Sequence, residues 1–147
     1  MKNLRILVLA AALVAVVALT GCTYNGQKAI ADNEVKLANT YWKLIMLDGV
    51  QVNAQSTATE MHFILNADDT ISGFGGCNNF SGSWEMDGDQ LMIGPLMATK
   101  MACDNMEIET RFLGALDGAV AAVVDDATLT VTDGDGIELR FLALSHK

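Results

Sequence analysis

The sequence predicts a mainly β, α+β fold, in which one late α-helix closes a curved antiparallel sheet or small open β-barrel. From Thr40 onward, short segments of alternating apolar and polar residues recur between turns that contain Asp and Gly. Glycines interrupt residues 71–84, and glycine inside a strand pattern indicates bulges, bends or close backbone approach. Only one stretch, residues 105–120, has helical periodicity. Together these observations favour a curved sheet closed by one helix.

The N-terminus predicts an export signal. Lys2 and Arg5 flank the start of an apolar run, which ends in the small-residue sequence Leu19-Thr20-Gly21-Cys22. This tetrapeptide resembles the bacterial lipobox, which implies a diacylglycerol on Cys22 and cleavage before it. The alternatives are a plain signal peptide and a membrane span, which needs about 20 apolar residues and a cationic stop sequence. We therefore expect a signal peptide over residues 1–21 and lipid attachment at Cys22.

The lipid on Cys22 is the expected membrane contact, because the remaining chain is acidic. The protein has 9 basic and 18 acidic residues and a net charge of −9, which argues against a nucleic-acid partner. Residues 22–39 are polar and predict a tether, followed by one domain over residues 40–147. Thr23 follows Cys22, at the position where an aspartate commonly retains lipoproteins at the inner membrane. We expect a cell-envelope location, at the outer membrane facing the periplasm if the host is Gram-negative.

Six or seven strands are expected within the domain. Tyr41–Leu47 is β-prone and ends at an Asp-Gly turn, and His62 lies on the polar phase of the next strand. The clearest hairpin lies at the C-terminus, where two alternating segments flank the turn Asp133-Gly134-Asp135-Gly136. The apolar phases of these segments predict the following core residues: Met61, Phe63, Leu65, Ala127, Leu129, Val131, Ile137, Leu139, Phe141 and Ala143.

The helix is expected to bury an apolar face. Ile108, Phe112 and either Ala115 or Leu116 recur at three- and four-residue steps, and Ala119 or Val120 continues the stripe. This spacing predicts that these side chains pack against the sheet.

Cys77 and Cys103 are the only possible intramolecular pair once Cys22 carries lipid. An exported protein lies in an oxidising compartment, which favours a structural disulfide between them. The alternatives are metal binding, although neither cysteine belongs to a CxxC motif, and redox catalysis, for which Cys103 lies just before the predicted helix.

The glycine- and cysteine-containing segments carry a family resemblance over about residues 39–144. The matching positions are Trp42-Lys43-Leu44, Gly49, the segments Gly73–Trp84 and Leu91–Cys103, then Glu109, Phe112 and Leu116, and the closing hairpin Leu129–Phe141. These segments resemble the META domain of HslJ-like bacterial proteins. The resemblance implies a β-rich envelope domain associated with heat shock, other stress or antibiotic tolerance, and it supplies no catalytic residues.

A non-catalytic binding or envelope-stress module is therefore the expected function. His62 and His146 lack visible catalytic companions, and most aspartates fall at turns. The turn at Asp133 lacks the further ligands of an EF-hand, and no phosphate-binding loop occurs, so we expect no metal or cofactor. The alternatives are an enzyme or a protease inhibitor with an unrecognised site.

The expected partner is an unknown protein, a peptide or a small hydrophobic ligand held on the concave face of the sheet. Five methionines cluster around the glycine and cysteine segments, and methionine either fills irregular cores or lines adaptable surfaces. We expect core filling for these residues: Met86, Met92, Met97, Met101 and Met106.

Overall fold

The structure is a computed structural model that describes residues 35–52, 60–88, 90–104 and 106–144. The predicted signal peptide, Cys22, most of the tether and His146 lie outside these residues. The elements in chain order are β1 (Tyr41–Leu47), β2 (Val50–Gln51), β3 (His62–Leu65), β4 (Thr70–Phe74), β5 (Asn79–Asp87), β6 (Gln90–Ile93), β7 (Met97–Ala98), α1 (Met106–Asp117), β8 (Ala119–Asp125), β9 (Thr128–Asp133) and β10 (Glu138–Leu144).

The strands form one antiparallel sheet in the order β6-β5-β4-β3-β1-β10-β9-β8, with the short strands β2 and β7 attached to β1 and β5. The two edge strands, β6 and β8, come within 8 Å of each other at several Cα positions but are not hydrogen-bonded neighbours. The sheet is thus a nearly closed barrel with one seam. The predicted fold class is confirmed.

Strand alternation decides which side chains face the barrel interior. Along β1, Trp42 and Leu44 are buried, whereas Tyr41 and Lys43 are only partly covered. The antiparallel register places Trp42 opposite Phe63 on β3 and opposite Ala143 on β10. The inward face of β1 therefore belongs to the core, and its other face is available at the outer surface.

The C-terminal hairpin has the predicted orientation. Leu129, Val131, Leu139 and Phe141 are each 0% exposed, and the turn between the strands is organised by Asp133. Its Oδ1 accepts hydrogen bonds from the backbone N–H groups of Asp135 at 2.9 Å and Ile137 at 2.7 Å. The carboxyl group at this turn thus stabilises the chain reversal, as aspartate does in Asx-turns.

Helix α1 closes the core through Phe112. The Phe112 ring lies 5.9 Å from that of Phe80 on β5 and 6.2 Å from that of Phe141 on β10. Edge-to-face and tilted arrangements at such distances are favourable for aromatic rings. Among the described residues, no helix has the length and apolar composition needed to cross a membrane.

The helix differs from its prediction in two respects. It ends at Asp117 rather than near residue 120, and Val120 lies in β8. Its buried face contains Glu109, whereas Ile108 is 40% exposed. The apolar spacing predicted that Ile108 is buried. The structure buries Glu109 instead, and the sequence does not show that this carboxyl group has hydrogen-bond donors inside the fold.

The described residues also contain more strands than the six or seven expected. Strand β8 was not predicted as a strand, and β2 and β7 have only two residues each. In β8, a register shift between Ala119 and Ala121 breaks the alternation of buried and exposed residues. A bulge of this kind removes the period-two pattern from which a strand is recognised.

Candidate functional site

The loop between β4 and β5, residues 75–78, is fixed by the carboxyl group of Glu109. Its Oε2 accepts hydrogen bonds from the backbone N–H of Cys77 at 3.0 Å and that of Asn78 at 2.6 Å. Its Oε1 accepts a third from Nδ2 of Asn78 at 2.7 Å. Glu109 is only 5% exposed, so one buried side chain satisfies three donors of a distant loop.

Asn78 connects the same loop to the segment that follows β7. Its Oδ1 accepts hydrogen bonds from the Thr99 hydroxyl at 2.8 Å and the Met101 backbone N–H at 2.7 Å. Its Nδ2 also donates to the Met101 carbonyl at 3.2 Å. Asn78 is 1% exposed, and both ends of its amide are used within the fold. Asn78 is therefore a structural residue of the sequence Gly76-Cys77-Asn78, which we call the Gly-Cys-Asn motif.

Two glycines permit this close packing. A Cβ atom on Gly75 would lie 2.8 Å from both Cγ and Oε2 of Glu109. Gly76 has a φ of 102°, a conformation that other residues rarely adopt, and a Cβ there would lie 2.8 Å from the end of Met61. The tight bend inferred from the sequence is thus present, and it brings the loop against the helix.

Cys77 and Cys103 join the loop to the start of the helix. Their sulfur atoms lie 2.02 Å apart and their Cα atoms 6.0 Å apart, which supports the predicted disulfide. Across the part of the chain that the structure describes, no three His, Cys, Asp or Glu side chains are placed to hold a metal ion.

A second group of polar side chains lies on the side of β1 and of the start of β3 that faces away from the core, and we call it the Glu60 cluster; it comprises Tyr41, Lys43, Glu60 and His62. Glu60 is only 7% exposed, and the other three side chains are partly covered. The Tyr41 hydroxyl donates to Oε1 of Glu60 at 3.0 Å, and Nζ of Lys43 forms an ion pair with Oε2. Burial raises the pKa of Glu60, but the hydrogen bonds from Lys43 and Tyr41 and the charge of Lys43 outweigh it, so the pKa lies below the usual 4.5.

The imidazole of His62 completes the Glu60 cluster. It stacks on the Tyr41 ring at 4.4 Å, and its Nδ1 lies 2.9 Å from the backbone carbonyl of Glu60. Because a carbonyl oxygen only accepts, Nδ1 donates the hydrogen of this bond. The neighbours of His62 could not be predicted from the sequence. Lys43 is distant in the chain and lies opposite His62 only because β1 pairs with β3.

Replacing Glu60 by glutamine should reveal the depressed pKa of this carboxyl group. An unfolded glutamate titrates near 4.5, so the ion pair stabilises the fold fully above that pH, and the contribution is lost as the pH falls from there through the lower pKa of the folded state. We expect the variant to lose about 1–3 kcal/mol of unfolding free energy at pH 7 and less at pH 3, measured by urea denaturation.

Glu138→Gln is the matched control, because the side chains of Glu138 and Arg140 are paired but much more exposed than those of Glu60 and Lys43. Its cost should be below about 1 kcal/mol at both pH values. A cost for Glu60→Gln that is the same at pH 7 and pH 3 would contradict the assigned ion pair.

A cleft of about 630 Å³ lies where β5 pairs with β6. The residues that border it come from the turn before β4, from β5, and from the end of β6 and the residue after it: Asp69, Ser83, Trp84, Glu85, Met86, Met92, Ile93 and Gly94. The sequence did not predict this cleft, because Asp69 reaches it from the turn before β4. Because consecutive residues of a strand point to opposite faces of a sheet, the side chains of Trp84 and Glu85 do not lie on the same face of β5.

The methionines do not fill the core, contrary to the prediction. All five that surround the glycine and cysteine segments are exposed: Met86 by 42%, Met92 by 45%, Met97 by 72%, Met101 by 54% and Met106 by 42%. The interior is instead filled by aromatic and branched side chains, including Trp42, Phe63 and Phe112. Met86 and Met92 help to line the cleft.

Comparisons with known proteins agree with this architecture. The META domain model matches residues 35–146. An NMR structure of a protein from Burkholderia xenovorans has a TM-score of 0.59 and 26% identity, covering 75% of this chain and 85% of that one. A second NMR structure has a TM-score of 0.58 and 24% identity, covering 72% of this chain and 91% of its own.

A crystal structure of a DUF4847 family protein from Bacteroides vulgatus ATCC 8482 shares the fold, with a TM-score of 0.54 and 16% identity, covering 76% of this chain and 96% of that one. No curated protein matches the sequence. Since the META domain model accounts for residues 35–146, this protein belongs to the META domain family.

Proposed function

We propose that the protein is a lipid-anchored envelope protein whose META domain binds a partner or supports the envelope under stress, without turning over a substrate. The proposal that the domain is not catalytic rests on one observation. The polar groups of the Gly-Cys-Asn motif form hydrogen bonds with other buried or partly buried groups of the fold. Asn78 and Glu109 are 1% and 5% exposed, and their hydrogen bonds go to each other, to Cys77 and to residues 99–101.

A catalytic group must reach a substrate atom, either directly or through a water molecule. The buried oxygens of Glu109 already accept three hydrogen bonds, and the amide of Asn78 has partners at both ends. The residues that distinguish the motif therefore serve stability. This supports a role in which a rigid domain presents a surface to a ligand, to a partner protein or to the envelope itself.

The anchor part of the proposal rests on Leu19-Thr20-Gly21-Cys22. Mass spectrometry of the mature protein should find an acylated N-terminal Cys22, and Cys22→Ser should release the protein from the membrane fraction. Ser81→Ala is a suitable control, because it alters an exposed residue of β5 without altering the attachment site or the disulfide. An unmodified N-terminus upstream of Cys22 would refute the anchor.

The alternative is an enzyme whose reaction takes place at the Glu60 cluster. This cluster contains a histidine, a tyrosine and a lysine-carboxylate pair. Both Glu60 oxygens already have partners, which favours a structural use of the carboxylate. Complementation with a His62 variant separates the two functions.

A further inference from the structure

We propose that the exposed methionines of the domain are sites of oxidation, at which the protein consumes oxidants of the hypochlorous acid class that reach the cell envelope. This proposal rests on the proposed envelope-stress role and deepens it by naming an oxidant as the stress. Five side chains carry the reaction, and we call them the surface methionines: Met86, Met92, Met97, Met101 and Met106.

Exposure makes the surface methionines accessible to an oxidant in solution. Methionine is among the residues most often fully buried in folded proteins, yet these side chains are exposed by between 42% at Met86 and 72% at Met97. Met61, by contrast, is 7% exposed and lies against the bend at Gly76, where a Cβ atom would be 2.8 Å from its methyl carbon. An oxidant therefore meets the surface methionines before it meets Met61.

The core does not depend on the surface methionines. Oxidation converts an apolar thioether into a polar sulfoxide, which disrupts a hydrophobic core when the methionine belongs to it. Within the described residues, the core and the apolar side chains packed against it include Met61 but none of the surface methionines. A sulfoxide on a surface methionine would be hydrated without displacing a core side chain. The domain can therefore be oxidised at these positions and remain folded.

Main-chain hydrogen bonds hold two of the surface methionines in place, independently of their side chains. The Met101 N–H donates to Oδ1 of Asn78 at 2.7 Å, and the Met101 carbonyl accepts from Nδ2 of Asn78 at 3.2 Å. The Met101 side chain is nevertheless 54% exposed. Met97 pairs with Ser81 through β7 and β5. Because sulfoxide formation changes only the side chain, it leaves these attachments intact.

The reaction is a two-electron oxidation of the thioether. The sulfur attacks the chlorine of hypochlorous acid, so that a sulfur–chlorine bond forms and hydroxide leaves. Water then attacks the sulfur, chloride leaves, and two protons are released, of which one neutralises the hydroxide. The sulfur gains one oxygen and the chlorine is reduced to chloride. Methionine sulfoxide reductases restore the thioether, with a dithiol as the reductant, so the same side chain can react again.

The cysteines of the described residues do not compete for the oxidant as thiols. Cys77 and Cys103 form a disulfide, which lacks the thiolate that oxidants attack first. The thioethers of the surface methionines are therefore the most accessible reduced sulfur atoms in the part of the chain that the structure describes.

The sites can be tested by treating the full chain in non-ionic detergent with increasing amounts of hypochlorous acid and locating added oxygen by peptide mass mapping. We expect each surface methionine to gain one oxygen roughly tenfold faster than Met61, while the melting temperature stays within a few degrees of its starting value. The control is the same protein digested into peptides before treatment. There the difference between Met61 and the surface methionines should disappear, because it arises from burial.

The function can be tested with a variant in which all five surface methionines are replaced by leucine, which has a similar volume and no sulfur. In a deletion strain, at equal levels of exported protein, this variant should lose the resistance to hypochlorous acid that the unaltered protein gives. Its effect against detergents should be retained. The control is Met46→Leu combined with Met61→Leu, which removes two partly or fully buried thioethers and should keep the resistance to hypochlorous acid.

Oxidation of Met61 as fast as the surface methionines in the folded protein, or unfolding as soon as they react, would overturn the assignment of these sites. Full resistance to hypochlorous acid with the five-leucine variant, equal loss with the control variant, or no protection by the unaltered protein would overturn the consumption of oxidant. Protection against heat or detergents and the lipid anchor on Cys22 are measured separately, so the proposed function can stand when this proposal fails.

Discussion

Replacing Glu109 by alanine is expected to lower the free energy of unfolding by about 3–5 kcal/mol. The substitution removes the acceptor of two backbone N–H groups and of the Asn78 side-chain amide. Those donors lie at buried residues, where an unpaired polar group costs more than the lost hydrogen bond itself. The loop at residues 75–78 would also lose its attachment to α1.

The measurement is chemical denaturation of the purified protein, with Glu107→Ala as the matched control. Glu107 lies in the first turn of the same helix but is exposed, so its removal should cost less than about 1 kcal/mol. If both variants lost the same small amount, the network around Glu109 would not have the role assigned to it.

Replacing both Cys77 and Cys103 by serine should cost about 3–4 kcal/mol in the chain-entropy model, because the disulfide closes a loop with a sequence separation of 26. For a domain of this size the melting temperature should fall by roughly 10–25 °C. The physical reason is the larger conformational freedom of the unfolded chain once the crosslink is absent.

Thermal unfolding of the double variant measures this effect, and Cys22→Ser is the control because it leaves the pair intact. Alkylation of denatured, non-reduced protein taken from the envelope should find Cys77 and Cys103 blocked. Two freely alkylated thiols would refute the disulfide and favour the metal or redox alternatives.

Local patterns predicted much of the fold. Strand β1 has the predicted bounds, Tyr41–Leu47, because it is β-prone and ends at an Asp-Gly turn. The hairpin of β9 and β10 was predicted with the correct inward face, since strict alternation fixes which side chains are buried. In both cases the information lies within a few consecutive residues.

Features that depend on distant contacts could not be predicted in the same way. Ile108 fits a helical apolar stripe, yet Glu109 is buried because loop residues 75–78 supply its hydrogen-bond donors. The methionines were assigned to the core because a sequence does not show that aromatic side chains already fill it.

The candidate sites depend even more on tertiary structure. The Glu60 cluster forms because β1 pairs with β3 and places Lys43 opposite His62. The cleft forms because the turn before β4 carries Asp69 to the pair of strands β5 and β6. No spacing in the sequence relates these residues to one another.

Complementation of a deletion strain tests the non-catalytic account most directly. The strain would first be profiled against heat, oxidants, detergents and hydrophobic antibiotics, and the resulting sensitivity would be measured with each variant at equal levels of exported protein. We expect His62→Ala to restore resistance as well as the unaltered protein does, and Cys77→Ala to restore it less well, because loss of the disulfide destabilises the fold. Rescue by Cys77→Ala but not by His62→Ala, with both variants folded and exported, would contradict the account and favour an active site at the Glu60 cluster.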